Sequence, residues 1–116
     1  MSCSGLPKSE RLRKRSQFLK CSASGLKIHS AHFIVLFDGS ALEGTRVGFT
    51  VSKKVGNAVA RNAIKRRLRE FYRQNKPLFT RGDFNIVAKR GAEALGFHHV
   101  SAELAAALER LRKRYA

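Results

Sequence analysis

The chain has 116 residues, with 24 Lys plus Arg against 8 Asp plus Glu, a formal charge of +16 and a pI near 11.2. This excess calls for a polyanionic partner, whereas 43% hydrophobic content in periodic blocks excludes a disordered basic tail. The longest apolar run, Phe33 to Phe37, is far short of the ~20 residues a membrane span needs, so no membrane partner is expected.

The length suits one domain over residues 1–116. Residues 1–9 carry Ser, Gly and Pro7 without a period and read as a loose tail; the basic start lacks an apolar h-region, so no secretory signal is expected. Cys3 and Cys21 form no C-x-x-C pattern and read as free thiols in polar surroundings of a reducing cytoplasm. Arg15 to Ser22 reads as a short helix closed near Gly25. Phe18 on it is either a core residue or a platform for a base. Lys27 to Phe37 reads as one long strand, or two if split, ending at the turn pair Asp38-Gly39.

The next strand alternates. Val47, Phe49 and Val51 point one way, and Arg46, Gly48, Thr50 and Ser52 the other. Gly48 marks either a close approach or a bulge. Ala58 to Gln74 then forms the strongest helix. At 100° per residue, Ala60, Leu68, Phe71 and Tyr72 lie within about 80° of Ile64 and form a buried stripe. Lys65, Arg69, Asn62, Arg73 and Arg66 occupy the opposite side, flanked by Arg61 and Arg67. Lys76-Pro77 ends the helix, and a last strand, Phe84 to Lys89, follows Gly82-Asp83. The final helix is expected after Ser101 as N-cap, with Leu104, Leu108, Leu111 and Tyr115 on its apolar face and Arg110, Arg112, Lys113 and Arg114 in its last turns.

Most of the cations fall into three clusters: Lys8, Arg11, Arg13, Lys14, Arg15 and Lys20; then Lys53, Lys54, Arg61, Lys65, Arg66, Arg67, Arg69 and Arg73; then the C-terminal four. Like charges four apart on a helix repel by about 0.2–0.5 kcal/mol per pair, so the central strip is unfavourable without a counter-anion. Only Glu70 relieves it. A strip that costs stability alone and gains from phosphates fits a nucleic-acid surface. A helix-turn-helix would need a helix just before Ala58, where the sequence is strand-like, so RNA is favoured over DNA. Arginine, which bonds phosphate bidentately and stacks on unpaired bases, also suits RNA.

No protein-borne active site emerges. The eight carboxylates look scattered, with Asp38 and Asp83 in turn-like positions, and no catalytic residue is assigned. His29 and His32 have opposite strand parity and His98 and His99 are adjacent, so none of these pairs looks like a metal site, and no metal is assigned to the protein.

The run Val55-Gly56-Asn57-Ala58-Val59-Ala60-Arg61-Asn62-Ala63-Ile64-Lys65-Arg66-Arg67-Leu68-Arg69, preceded by Val51-Ser52-Lys53-Lys54, closely resembles the signature of the bacterial ribonuclease P protein component. Arg11-Leu12 with Phe18, the Arg46-Val47-Gly48 strand, and the later strand and helix follow in that family's order. The resemblance implies an α+β fold, a two-layer α/β sandwich similar to ribosomal protein S5 domain 2, in the order αβββαβα with a left-handed βαβ crossover. It implies the protein subunit of an endoribonuclease ribonucleoprotein that removes the 5′ leader of precursor tRNA. The partner catalytic RNA, bound 1:1, would carry the chemistry with Mg2+, and no DNA partner is implied. Arg61, Asn62, Lys65, Arg66 and Arg69 would face the catalytic RNA. The leader would touch Phe18, Arg11, Arg13, Thr50, Lys53 and Lys89. Ala63 stands where the family often has a basic or long polar residue, which implies one weaker contact beside the basic strip; Ser22 and Leu36 stand where it often has aromatic cleft residues, which implies thinner stacking on the leader. Two alternatives are a structural ribosomal or RNA-chaperone protein, and a protein nuclease acting through Asp38 or Asp83.

Overall fold

The computed structural model describes residues 10–12, 14–23, 26–39, 44–79 and 81–115. The expected tail over 1–9, Cys3, Arg13 and the helix closure near Gly25 lie outside them. The elements run α1 (Arg15–Ala23), β1 (Leu26–His29), β2 (Phe33–Asp38), β3 (Thr45–Thr50), α2 (Ala58–Gln74), β4 (Gly82–Ala88) and α3 (Phe97–Tyr115), with short 3-10 turns at Lys76–Leu78 and Ala92–Ala94. This is the α+β order αβββαβα read from the sequence.

The four strands form one sheet in the order β1-β2-β4-β3. β2 is antiparallel to β1 and to β4, whereas β3 and β4 are parallel neighbours joined through α2. Residues 10–12 extend the β3 edge: Arg11 bridges to Val47, and the Leu12 N–H donates to the Val47 carbonyl at 2.9 Å. Strand alternation then sorts side chains to two faces. Phe33, Val35, Phe37, Val47, Phe84, Ile86 and Ala88 pack in the main core with Ile64, Leu68, Phe71 and Tyr72 of α2 and Val100, Leu104, Leu108 and Leu111 of α3. On the other face Leu36, with Ile34 and Val87, meets Leu12, Phe18 and Cys21 in a smaller cluster. The short helix α1 covers only part of this second face.

The stretch from Lys27 to Phe37 follows the split reading and forms the two strands of a hairpin, because Ser30 closes a turn: its N–H donates to the Phe33 carbonyl at 2.8 Å and its Oγ accepts from the Phe33 N–H at 3.3 Å. Three expectations change. α3 starts at Phe97, so Ser101 is not its cap; Ser101 lies inside the helix, its Oγ buried without a hydrogen-bond partner. Phe97 and Val100 already pack on the core, which extends the apolar face one turn earlier. Cys21, on the inner side of α1, is fully buried against Leu12 and Leu36 and is not a surface thiol. Asp38 and Asp83 are neither scattered nor in turns; they are register partners across β2 and β4, 3% and 2% exposed.

That carboxylate pair is a structural feature. Like charges opposite each other in a sheet destabilise it. Arg46 on β3, aligned with Asp83, relieves the repulsion by donating from Nε and Nη2 to the two Asp83 oxygens at 2.8 Å each. Lys20 reaches Asp38 at 4.0 Å from α1. Burial, reinforced by these carboxylates, pushes the Cys21 thiol up to about 12, so it stays protonated and unreactive.

Gly48 resolves as a close approach. A Cβ there would stand 2.4 Å from Phe18 Cε1 and 2.6 Å from Cζ, so the ring of Phe18 lies against the bare backbone of β3. At the start of the chain, Glu10 ties residues 10–12 to α2. Tyr72 donates its hydroxyl to Glu10 Oε1 at 2.6 Å, and Lys76 Nζ approaches the same oxygen at 3.0 Å. The Tyr72 bond and the Lys76 ammonium outweigh burial and hold the Glu10 carboxyl below its ordinary value.

Candidate nucleic-acid interface

α2 begins where Asn57 caps it, its side chain accepting from the Ala60 N–H at 2.9 Å. The helix buries Ile64, Leu68, Phe71 and Tyr72, which turns the signature cations outward. Asn62 and Arg66 are exposed, and Arg61, Lys65, Arg67 and Arg69 are half-buried. Arg61 reaches back to donate from Nη1 to the Gly56 carbonyl at 3.0 Å, bracing the loop that enters the helix. Glu70, the acidic residue of this helix, is engaged by Arg73 at 2.7 Å and by Gln74 at 2.6 Å. Those bonds, Arg73 foremost, hold the Glu70 carboxyl below its ordinary value. Its charge therefore offsets Arg73 at the helix end. Among the described residues no carboxylate pairs with Arg61, Lys65, Arg66, Arg67 or Arg69.

Beside this ridge an open cleft of about 490 Å³ is lined by Arg15 and Phe18 of α1, Phe49, Thr50 and Val51 of β3 and its exit, and Lys65 of α2. The cleft exists because α1 spans only part of the second sheet face. Phe18 is held against Gly48 with one side open, so it is both a packing residue and part of the cleft wall. Thr50 is oriented by donating to Asn85 Oδ1 at 2.9 Å, from a buried asparagine on β4. Phosphates accept from the Arg15 guanidinium and the Lys65 ammonium, the Thr50 oxygen is left to accept from a ribose hydroxyl or a base amine, and the flat face of a half-open phenyl ring accepts a base.

The expected leader residues separate. Phe18 and Thr50 line the cleft, joined by Lys65 from the group expected to face the catalytic RNA. Arg11 is exposed along the β3 edge and Lys53 exposed in the turn after β3, both outside the cleft lining. Lys89 is turned to the β1–β2 turn, where Nζ donates to the Ser30 carbonyl at 2.7 Å. Arg13 lies outside the described residues. Ser22 is exposed on α1, and Leu36 is buried against α1 at 7% exposure, so neither offers a ring to the cleft. Ala63 is half-buried beside the ridge.

Sequence reasoning missed Arg15, Phe49 and Val51 as cleft residues. Strand alternation assigns Phe49 and Val51 to the core face, but at the end of β3 the sheet no longer has neighbours on all sides and both sit half-exposed. It also missed a long-range cluster. His32, in the β1–β2 turn, meets His99 and Glu103 of α3, with one ligand atom from each within 4.8 Å of the others. Comparing histidines only with near neighbours hid it; the His99-x-x-x-Glu103 spacing, one helical turn, was the available signal.

A cationic ridge whose Arg61, Lys65, Arg66, Arg67 and Arg69 pair with no carboxylate among the described residues, beside a cleft walled by half-open aromatic rings, defines a nucleic-acid-binding α+β domain. Residues 6–112 match the family model for Ribonuclease P. The chain is 61% identical, over the full length of both, to the "Ribonuclease P protein component" of Citrifermentans bemidjiense. It superposes with a TM-score of 0.80 on the RNase P protein of Staphylococcus aureus, at 29% identity, covering 88% of this chain and 94% of that one. For the RNase P protein of Thermotoga maritima the TM-score is 0.78 at 32% identity, covering 87% and 96%. The chain belongs to the ribonuclease P protein family, protein subunits of the ribonucleoprotein endoribonuclease of that name.

Proposed function

We propose that this protein promotes removal of the 5′ leader from precursor tRNA in the bacterial cytoplasm by binding two RNAs at once, one catalytic RNA per chain on the α2 ridge and the leader in the adjoining cleft. The observation that carries this reading is the position of Lys65, which belongs to the ridge and also lines the cleft. Arg61, Asn62, Arg66 and Arg69 engage phosphates of the catalytic RNA; Phe18 and Thr50, with Arg15, engage the leader. Arg11 and Lys53 add long-range attraction at the cleft's edges. Two polyanions held close repel each other, and a +16 protein between them offsets that repulsion without touching the scissile bond.

Magnesium requires an octahedral set of oxygen ligands. The cleft lining offers one hydroxyl and two cations but no carboxylate, which does not fit a magnesium site on the protein. The Asp38–Asp83 pair is buried and engaged by Arg46 and Lys20, which leaves no accessible carboxylate pair for a protein nuclease there. The chemistry is therefore assigned to the RNA, with Mg2+ bound by it. The test compares protein alone, RNA alone and the reconstituted pair on a precursor tRNA across a magnesium titration. The pair should cleave at lower magnesium than RNA alone, and protein alone should not cleave. Cleavage by RNA-free protein, or an unchanged magnesium requirement, overturns the proposal.

A further inference from the structure

The His32, His99 and Glu103 cluster lies apart from the ridge and cleft residues and has the make-up of a metal site. Glu103 Oε2 is fixed from behind, accepting from Ser30 Oγ at 2.6 Å and from the His32 backbone N–H. Oε1 is left facing two imidazoles, with His32 Nδ1 at 2.9 Å and His99 Nε2 at 3.6 Å. The rings stand edge to face, 85° apart with centroids at 5.6 Å. His32 is seated by Gly91, whose φ is +97° and where a Cβ would come to 3.3 Å from the imidazole Cδ2. The nearby cations are already held on backbone carbonyls, Lys89 on Ser30 and Arg110 on His29, at 2.7 and 2.8 Å.

We infer that His32 Nδ1, His99 Nε2 and Glu103 Oε1 form a binding site for a borderline divalent cation of the zinc class, which staples the β1–β2 turn to α3. Ligand bonds of about 2.0–2.2 Å in a tetrahedron place neighbouring ligand atoms about 3.3–3.6 Å apart; Oε1 stands 2.9 Å from His32 Nδ1 and 3.6 Å from His99 Nε2, and all three ligand atoms lie within 4.8 Å of one another. Two imidazoles with one carboxylate select zinc, cobalt, nickel or copper over magnesium or calcium. Water completes the fourth position. The Ser30 hydroxyl and His32 N–H supply the outer hydrogen bonds that orient a ligating carboxylate. Because the ligands come from elements 71 positions apart, the ion adds a cross-link to the folded state only.

The test titrates zinc chloride into the full chain, without RNA, by calorimetry. The expected result is one ion per chain and a Tm that rises with zinc concentration. His99→Ala and Glu103→Gln should abolish both effects, Cys3→Ser should retain them, and Ser30→Ala should weaken affinity about 10–100-fold. Cobalt added to the unaltered chain should give visible d–d bands of four- or five-coordinate ligation without thiolate charge transfer, a readout independent of how any variant folds. Absence of one-to-one zinc binding, its persistence in His99→Ala, its loss in Cys3→Ser, or a thiolate band with cobalt would overturn the assignment.

Discussion

Gly48→Ala is the sharpest probe of how α1 meets the sheet. The φ of Gly48 is not positive, so alanine fits the backbone there; the added methyl instead meets Phe18 at 2.4 and 2.6 Å and Leu12 Cβ at 3.1 Å. The first two distances are well inside contact and require the ring to move, whereas Leu12 need yield only by tenths of an ångström. Overpacking of this kind costs about 1–3 kcal/mol, offset by about 0.4–1 kcal/mol from the lower entropy of the unfolded alanine chain. A net loss of roughly 1 kcal/mol is expected. In a Phe18→Ala background the ring is gone, and the same substitution should become neutral or slightly stabilising. Urea unfolding of the four proteins closes a double-mutant cycle, with an expected coupling of about 1–2 kcal/mol, within the range for residues in contact. Because the displaced ring also walls the cleft, Gly48→Ala alone should weaken binding of precursor tRNA more than of mature tRNA. An equal cost of Gly48→Ala with and without the phenyl ring would refute the packing argument.

Further tests address the ridge, the buried pair and the N-terminal tie. Arg66→Ala should reduce the slope of log affinity against log salt for the catalytic RNA by about 0.7–0.9, one phosphate contact, while Arg73→Ala, whose charge Glu70 already offsets, should leave it nearly unchanged. Arg46→Ala strands the buried Asp83 carboxylate and should cost about 3–5 kcal/mol in urea unfolding, most of it recovered in Arg46→Met/Asp83→Leu. Glu10, held below its ordinary value of 4.5 chiefly by the Tyr72 hydroxyl, adds stability that is fully present above that pH and is lost as pH falls through the lower folded value. Glu10→Gln should therefore be less stable than the parent protein at neutral pH, and the gap in Tm should close on acidification below 4.5.

Local period and charge determined much of this protein. The bounds of α2, the burial of Ile64, Leu68, Phe71 and Tyr72, and the outward cations follow from one helical repeat, because a helix places residues 3.6 apart on one side whatever surrounds it. The signature run from Val55 to Arg69 was likewise legible as a linear pattern. The tertiary structure decided what depends on distant residues meeting. Phe18 reaches its place only when α1 crosses Gly48; Asp38 and Asp83 become partners only when β2 pairs with β4; His32 finds Glu103 only when the hairpin docks on α3. Spacing along a chain carries no information about such contacts, since they are set by which sheet face each helix covers and by strand register. The cleft follows the same rule: it opens where a nine-residue helix stops short of covering its side of the sheet, a geometric remainder that no single segment encodes.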